Sequence, residues 1–148
     1  MNLPINQVIC GDALEIVKYW PSECIDLIVT SPPYYTYKPY SKNPLDLENA
    51  PCYEDYVDML DAHLKILYRI LIPAGRCCIV VDDKHTNLKT EGINKNRGTH
   101  ARIILMAEEI GFTSDYLAKR QSWACQWRSQ VYAWKFSKSS RDFPSELV

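Results

Sequence analysis

A chain of 148 residues, 47% hydrophobic and 24% charged, has the length of one domain and the composition of a folded globular protein, which sets disorder aside. Its longest apolar runs, such as Ile79-Val80-Val81, are far too short to span a bilayer, and Met1-Asn2-Leu3-Pro4 has no basic, apolar leader; a cytoplasmic protein without membrane association is expected. The net charge of −1 hides a division: residues 1–62 carry three basic and ten acidic side chains, residues 63–148 fourteen and eight, with no acidic residue between Lys119 and Arg141.

In chain order, residues 5–10 form a short β-type run ending at Gly11-Asp12, and 13–19 a helix stopped near Pro21. Asp26-Leu27-Ile28-Val29-Thr30 reads as a buried strand halted by Ser31-Pro32-Pro33. Residues 34–51, rich in Tyr, Pro, Asn and Lys, show no period and form a loop long enough to suggest function. The clearest helix spans 53–72, where Val57, Leu60, Leu64, Leu67 and Leu71 make one apolar stripe. Glu54, Asp55 and Asp58 suit its amino end and Arg69 its carboxyl end. Pro73-Ala74-Gly75 ends it. Residues 76–82 are a strand apolar on both faces, as a central parallel strand requires. A polar loop (84–99), a helix over 100–110 closed by Gly111, and β-type runs around 114–119 and 131–136 complete the chain.

The six cysteines contain no CxxC pair and no Cys/His spacing that reads as a zinc site, so no metal is expected and the thiols read as free in a reducing cytosol. Cys77 and Cys78, adjacent in a strand, should point to opposite faces. The alternation of elements predicts an α/β fold: a mostly parallel sheet with an antiparallel edge. Ligands of such sheets sit beyond the carboxyl ends of the strands, where Asp12, Ser31 to Tyr34 and Asp82-Asp83 fall.

The whole pattern Gly11-Asp12-Ala13-Leu14 followed by Asp26-Leu27-Ile28-Val29-Thr30-Ser31-Pro32-Pro33-Tyr34 resembles the S-adenosylmethionine-dependent amino-methyltransferases of DNA. In that family a (D/N/S)-P-P-(Y/F) tetrapeptide ends a sheet strand. The resemblance implies a Rossmann-like methyltransferase sheet, S-adenosylmethionine as cofactor, DNA as partner and DNA methylation as the reaction. Carried over residue by residue, it assigns catalysis to Ser31, Pro32, Pro33 and Tyr34 and cofactor contact to Asp12, Ala13 and Thr30. Asp12 is equally suited to capping the helix that starts at Ala13. Trp123, Trp127, Tyr132 and Trp134 are similar to the family's later strands, which help hold an extruded base, although single rings there also suit a core. Tyr35, Arg120, Trp123, Arg128 and Lys135 are the DNA-contacting set; for the basic residues a plain solvated surface is the alternative. Asp82-Asp83-Lys84-His85 resembles a polar stretch of the family, and His85 receives no role.

The chemistry explains the residue types. The exocyclic amine of cytosine or adenine is a poor nucleophile because its lone pair is delocalised into the ring. Acceptors around the amine hydrogens favour a pyramidal nitrogen. The Ser31 hydroxyl offers one such acceptor and the Pro32 carbonyl another, held rigid by successive prolines. Tyr34 offers a face on which the base can stack. Ser31 is too weak a base to take the proton, so it orients.

Half of the family's pattern has no counterpart here. No two of the five glycines are close enough to build the glycine-rich cofactor loop, which the permuted subgroup places after the proline motif. The expectation is therefore a single, incomplete catalytic domain over 1–148: a split half, fragment or truncated copy, completed by a second chain or missing segment carrying the cofactor loop and target recognition. The strand over 26–30 would then be an edge. Serine at the motif's first position leans towards cytosine N4. Adenine N6 methylation is the near alternative, a non-catalytic DNA-binding or assembly remnant the alternative of another class, and Ser31 speaks against methylation of a protein glutamine.

Overall fold

In the computed structural model, which describes residues 3–35, 41–83, 86, 92–93, 96–121 and 130–138 (backbone alone at 115–121 and 130–135), eight elements follow one another. They are α1 (Ala13–Val17), β1 (Ile25–Thr30), a 3-10 turn (Leu47–Asn49), α2 (Tyr53–Ile70), β2 (Leu71–Asp82), α3 (Thr99–Ile110), β3 (Phe112–Gln121) and β4 (Gln130–Lys138).

The open sheet has the order β1-β2-β4-β3. β1 lies parallel to β2, and β4 is antiparallel to both its neighbours, so three strands point one way and the reversed β4 sits between β2 and β3. This is the expected mixed α/β sheet. Its reversed strand is internal because β3 and β4 pair with each other along their whole length while β4 also takes the free side of β2.

Helix α2 forms where the stripe predicts it. Cys52 caps it, the thiol accepting from the Asp55 N–H, with Glu54 and Asp55 in the first turn and Arg69 in the last. The buried stripe starts one turn earlier than the leucine pattern, at Tyr53 and Tyr56, and runs through Val57, Leu60 and Leu64. It packs on Cys77, Ile79 and Val81 of β2, with Ile103 and Ala107 of α3, Phe112 and Phe136 closing the same core. Each fully buried large apolar side chain on this face contributes roughly 1.5–3 kcal/mol to folding. Arg69 also donates to the carbonyls of Val17 (2.8 Å) and Trp20 (2.6 Å), tying the last turn of α2 to the segment that follows α1.

Helix α2 ends at Ile70, two residues short of the expected Ile72, and Pro73-Ala74-Gly75 does not end it but lies inside β2, which begins at Leu71 rather than at Arg76. Leu71 pairs with Ile25 and Arg76 with Leu27, so the tripeptide bulges out of register, with Ala74 at φ 61°. A Cβ on Gly75 would come within 2.8 Å of the Ile72 carbonyl oxygen, which is why the tight bulge takes glycine.

The β-type run over residues 5–10 is not a strand. Ile5 is 75% and Val8 101% exposed, and no described strand lies beside it to complete a ladder. Apolar alternation marks a segment able to pair, and pairing needs a neighbour. Among the described strands β1 is an edge, as expected. Its Ile28 packs against the core, whereas Leu27 and Val29, on the opposite face, are 56% and 69% exposed.

The loop over 34–51 is partly anchored: Leu47 and Ala50 are buried, and the Asn49 amide donates to the carbonyls of Ser41 and Asn43. Cys10, Cys24, Cys52, Cys77 and Cys78 are free thiols, with Cys77 buried and Cys78 half-buried as opposite faces require; Cys125 lies outside the described residues. Among the described residues no helix is long and apolar enough to cross a membrane.

Candidate active site

Strand β1 carries Ser31 to the carboxyl rim of the sheet, and Pro32 and Pro33, which lack N–H donors, end the ladder there. Ser31 is exposed, and its Oγ lies 3.3 Å from the Tyr34 hydroxyl. Ser31, Pro32, Pro33 and Tyr34 together line an open depression of about 310 Å³. Tyr34 is half-buried, one side against the core cluster. The four residues singled out for catalysis therefore face one concavity.

Behind the motif, an apolar cavity of about 120 Å³ brings together Ala13, Thr30 and Pro32 with Leu60, His63 and Ile103. Two of the three residues expected at the cofactor thus share a wall. His63 donates from Nδ1 to the Met59 carbonyl at 2.7 Å; a carbonyl only accepts, so this nitrogen carries the proton. The third, Asp12, caps α1: one carboxylate oxygen accepts from the Glu15 N–H at 3.1 Å. The capping role is therefore present.

The aromatic residues after the motif form a packed group. Tyr35 lies edge-on to Tyr53 (centroids 5.6 Å apart) and tilted against Tyr56 (5.6 Å). The Arg97 guanidinium sits 4.3 Å from the Tyr53 ring centroid and 5.5 Å from that of Tyr35. Arg102 lies 5.2 Å from Tyr53 and pairs with Glu54 at 2.6 Å. The Tyr53 hydroxyl meets Thr99 Oγ1 at 2.9 Å, and the Tyr56 hydroxyl donates to the Pro33 carbonyl at 3.0 Å. Burial pushes both phenols above their ordinary range; for Tyr53 the Thr99 bond and the two arginines pull partly back.

At the neighbouring strand end, buried Asp83 accepts from the His100 backbone N–H (3.1 Å) and its Nδ1 (2.5 Å), tying the end of β2 to the first turn of α3. Lys84 and His85 lie outside the described residues.

Of the expected DNA-contacting set, Tyr35 is placed beside the motif, packed as above. Arg120 stands opposite Val131, the partner of Asp82, and so lies at the carboxyl rim; Lys135 stands opposite Cys78, further back along the sheet. Trp123 and Arg128 lie outside the described residues, but Gln121 and Gln130, which bracket them, are both at that rim. Among the described residues no group of three metal-binding side chains occurs.

The sequence reading missed Tyr53 and Tyr56. The signal was present, since both continue the leucine stripe of α2 backwards at spacings of three and four. A polar tip on an aromatic stripe residue marks a ring with a partner to find. Arg97 had no such signal, because its stacking depends on tertiary approach.

Known proteins bear on this arrangement. A family model described as DNA methylase, covering the N6 and N4 enzymes, matches residues 25–141. The type II methyltransferase M.MjaVI of Methanocaldococcus jannaschii is 32% identical over 96 residues, which are 62% of this chain and 42% of that protein. M.SfiI of Streptomyces fimbriatus, another type II methyltransferase, is 33% identical over 78 residues, 52% of this chain and 18% of its own. A solved protein of Thermus thermophilus assigned as a DNA modification methylase, in complex with S-adenosyl-L-methionine, superposes with a TM-score of 0.67 at 27% identity, over 87% of this chain and 51% of its own. The cytosine-N4-specific PvuII DNA methyltransferase shares the fold (TM-score 0.66, 21% identity, 87% and 48% covered). The chain spans about half the length of these solved relatives, and less of the curated ones. Its rim motif, its sheet order and the match over 25–141 agree: the chain belongs to the DNA methylase family of N6/N4 amino-methyltransferases.

Proposed function

We propose that this chain is the motif-bearing half of a DNA methyltransferase that modifies the exocyclic amine of a base, cytosine N4 in the first instance. The observation that carries the reading is the shared concavity of Ser31, Pro32, Pro33 and Tyr34, open to solvent at the carboxyl rim. The base amine donates one hydrogen to Ser31 Oγ and one to the Pro32 carbonyl. These two acceptors favour a pyramidal nitrogen whose lone pair is aimed outward. Tyr34 stacks on the extruded base and shields it from water. After transfer the amine is transiently cationic, the two acceptors stabilise that charge, and water removes the surplus proton. Adenine N6 remains the nearest alternative, since serine at the first motif position favours cytosine without excluding the purine.

The methyl source implied by the family is S-adenosylmethionine, which when bound supplies an electrophilic methyl group on a sulfonium. The residues present fit one edge of such a molecule. Ala13, Thr30 and Pro32 share an apolar wall, and Asp12 keeps a second carboxylate oxygen beyond the one that caps α1. The wall is small and mostly apolar, with Thr30 and His63 its polar side chains and none that is a carboxylate or a lysine or arginine to hold a charged amino-acid moiety. We infer that a second chain or a further segment, beside the exposed edge β1, supplies the remainder of the cofactor site and target recognition.

Transfer of labelled methyl to unmethylated DNA, with and without a complementing half, tests the reading. Ser31→Ala is expected to cost about 10²-fold in kcat while DNA and cofactor affinity change little. Undiminished turnover in Ser31→Ala would refute the role given to its hydroxyl. No transfer by the wild type under any condition, alongside retained DNA binding, would favour a non-catalytic binding subunit.

A further inference from the structure

The Ser31–Tyr34 turn works only if its backbone holds still, and the sequence itself fixes most of its torsions. Ser31 and Pro32 each precede a proline, which keeps their ψ angles extended. The pyrrolidine rings fix φ at Pro32 and Pro33. Along the backbone from the Ser31 Cα to the Tyr34 Cα one angle is left over: ψ of Pro33. Rotation there swings the Pro33 carbonyl and, with it, the position of Tyr34 relative to Ser31.

The Tyr56 hydroxyl donates to that carbonyl at 3.0 Å. Tyr56 is 1% exposed, near the start of the eighteen-residue helix α2, and its ring packs in a three-membered cluster with Tyr53 at 6.0 Å and Tyr35 at 5.6 Å. The donor is thus mounted on the longest described helix, whose buried face is packed on the sheet, and not on the loop itself. Burial keeps it protonated, so the bond persists across the working pH range.

We propose that Tyr56 is a positioning residue: by clamping the Pro33 carbonyl it sets the last free torsion of the turn and so fixes Tyr34 opposite Ser31 at the distance that receives the base. The proposal rests on the methyl-transfer reading for its purpose, though not for its geometry. With the Pro33 carbonyl engaged, the role facing the amine falls to the Pro32 carbonyl. Tyr53 serves as internal control. It is also buried on the same helix and loses a hydrogen bond when its hydroxyl is removed, yet that bond goes to Thr99 of α3 rather than to the turn.

The test compares Tyr56→Phe and Tyr53→Phe in the full chain. Carbonyl-¹³C proline labelling reads the Pro33 carbonyl directly, and Tyr34 ring resonances read its mobility. Tyr56→Phe is expected to move the Pro33 carbonyl resonance upfield and sharpen the Tyr34 ring signals, whereas Tyr53→Phe does neither. Where the wild type transfers methyl, alone or with its complementing half, Tyr56→Phe is expected to lower kcat about tenfold or more with KM for the cofactor within about twofold. An unmoved Pro33 carbonyl, or the same kcat loss in Tyr53→Phe, would overturn the proposal. A moved carbonyl and freed Tyr34 in a chain with no transfer activity would leave the clamp standing and remove the methyl-transfer reading instead.

Discussion

Three buried acids, Tyr53, Tyr56 and Cys77, are held protonated mainly by desolvation, and this gives the fold an alkaline weakness. The Cys77 thiol, packed against α2 from β2, is pushed from 9.0 up to about 12. In the unfolded chain the thiol ionises near its ordinary value and the phenols near 10.0. Folding keeps them neutral, so their contribution is complete below pH 9 and is lost as pH rises, through Cys77 first and through the tyrosines above pH 10. Each group contributes a slope of about 1.4 kcal/mol per pH unit inside its window. The denaturant midpoint is expected to fall from pH 9 upward, and Cys77→Ala to flatten the part of that fall below pH 10. An identical alkaline slope in wild type and Cys77→Ala would show that desolvation of the thiol is not the cause.

Helix α3 shows how an element end can be tested against its sequence signal. Gly111 closes it in the left-handed region at φ 117°, its N–H donating to the carbonyls of Ala107 and Glu108. A Cβ there would also meet the Tyr68 hydroxyl at 2.8 Å, whereas at Gly98, φ 61° at the other end, it would meet nothing within 4 Å. Gly111→Ala is therefore expected to cost about 1–3 kcal/mol and Gly98→Ala about 1 or less, read from denaturant unfolding; equal costs would mean that Tyr68 yields freely. The amino end of α2 and both ends of α3 were legible to within a residue because their stripes and caps are local, whereas the carboxyl end of α2 was not, since Leu71 and Ile72 continue the apolar run but belong to β2, whose Leu71 pairs with Ile25 of β1. The motif at the end of β1 was legible too, since its prolines mark a strand end wherever it sits. Residues 5–10 misled because β-type alternation reports capacity to pair, while pairing depends on a neighbour. The Tyr56 clamp could not be read, because its acceptor is a carbonyl 23 residues away.

At the scale of the whole molecule, the described helices pack on one face of the sheet. α2 and α3 cover the face of Cys77, Ile79 and Val81, and the other face presents Leu27 and Val29 at an edge whose backbone groups have no described partner strand. An apolar, parallel-type edge of this kind favours association, either with the half that completes the domain or, failing that, with another copy. Leu27→Lys and Val29→Lys together place two charges on that face without entering the core. They are expected to change unfolding stability by no more than about 0.5 kcal/mol per site. Ile28→Lys, one residue between them and turned toward the core cluster, is expected to unfold the chain. Sedimentation at rising concentration should show the wild type associating and the Leu27/Val29 double variant remaining monomeric, with matching far-ultraviolet spectra. The same double variant should lose complementation by a second half in the methyl-transfer assay while keeping the Pro33 carbonyl resonance of the wild type. A double variant that associates and complements as the wild type does would mean that the edge is not where the rest of the enzyme attaches.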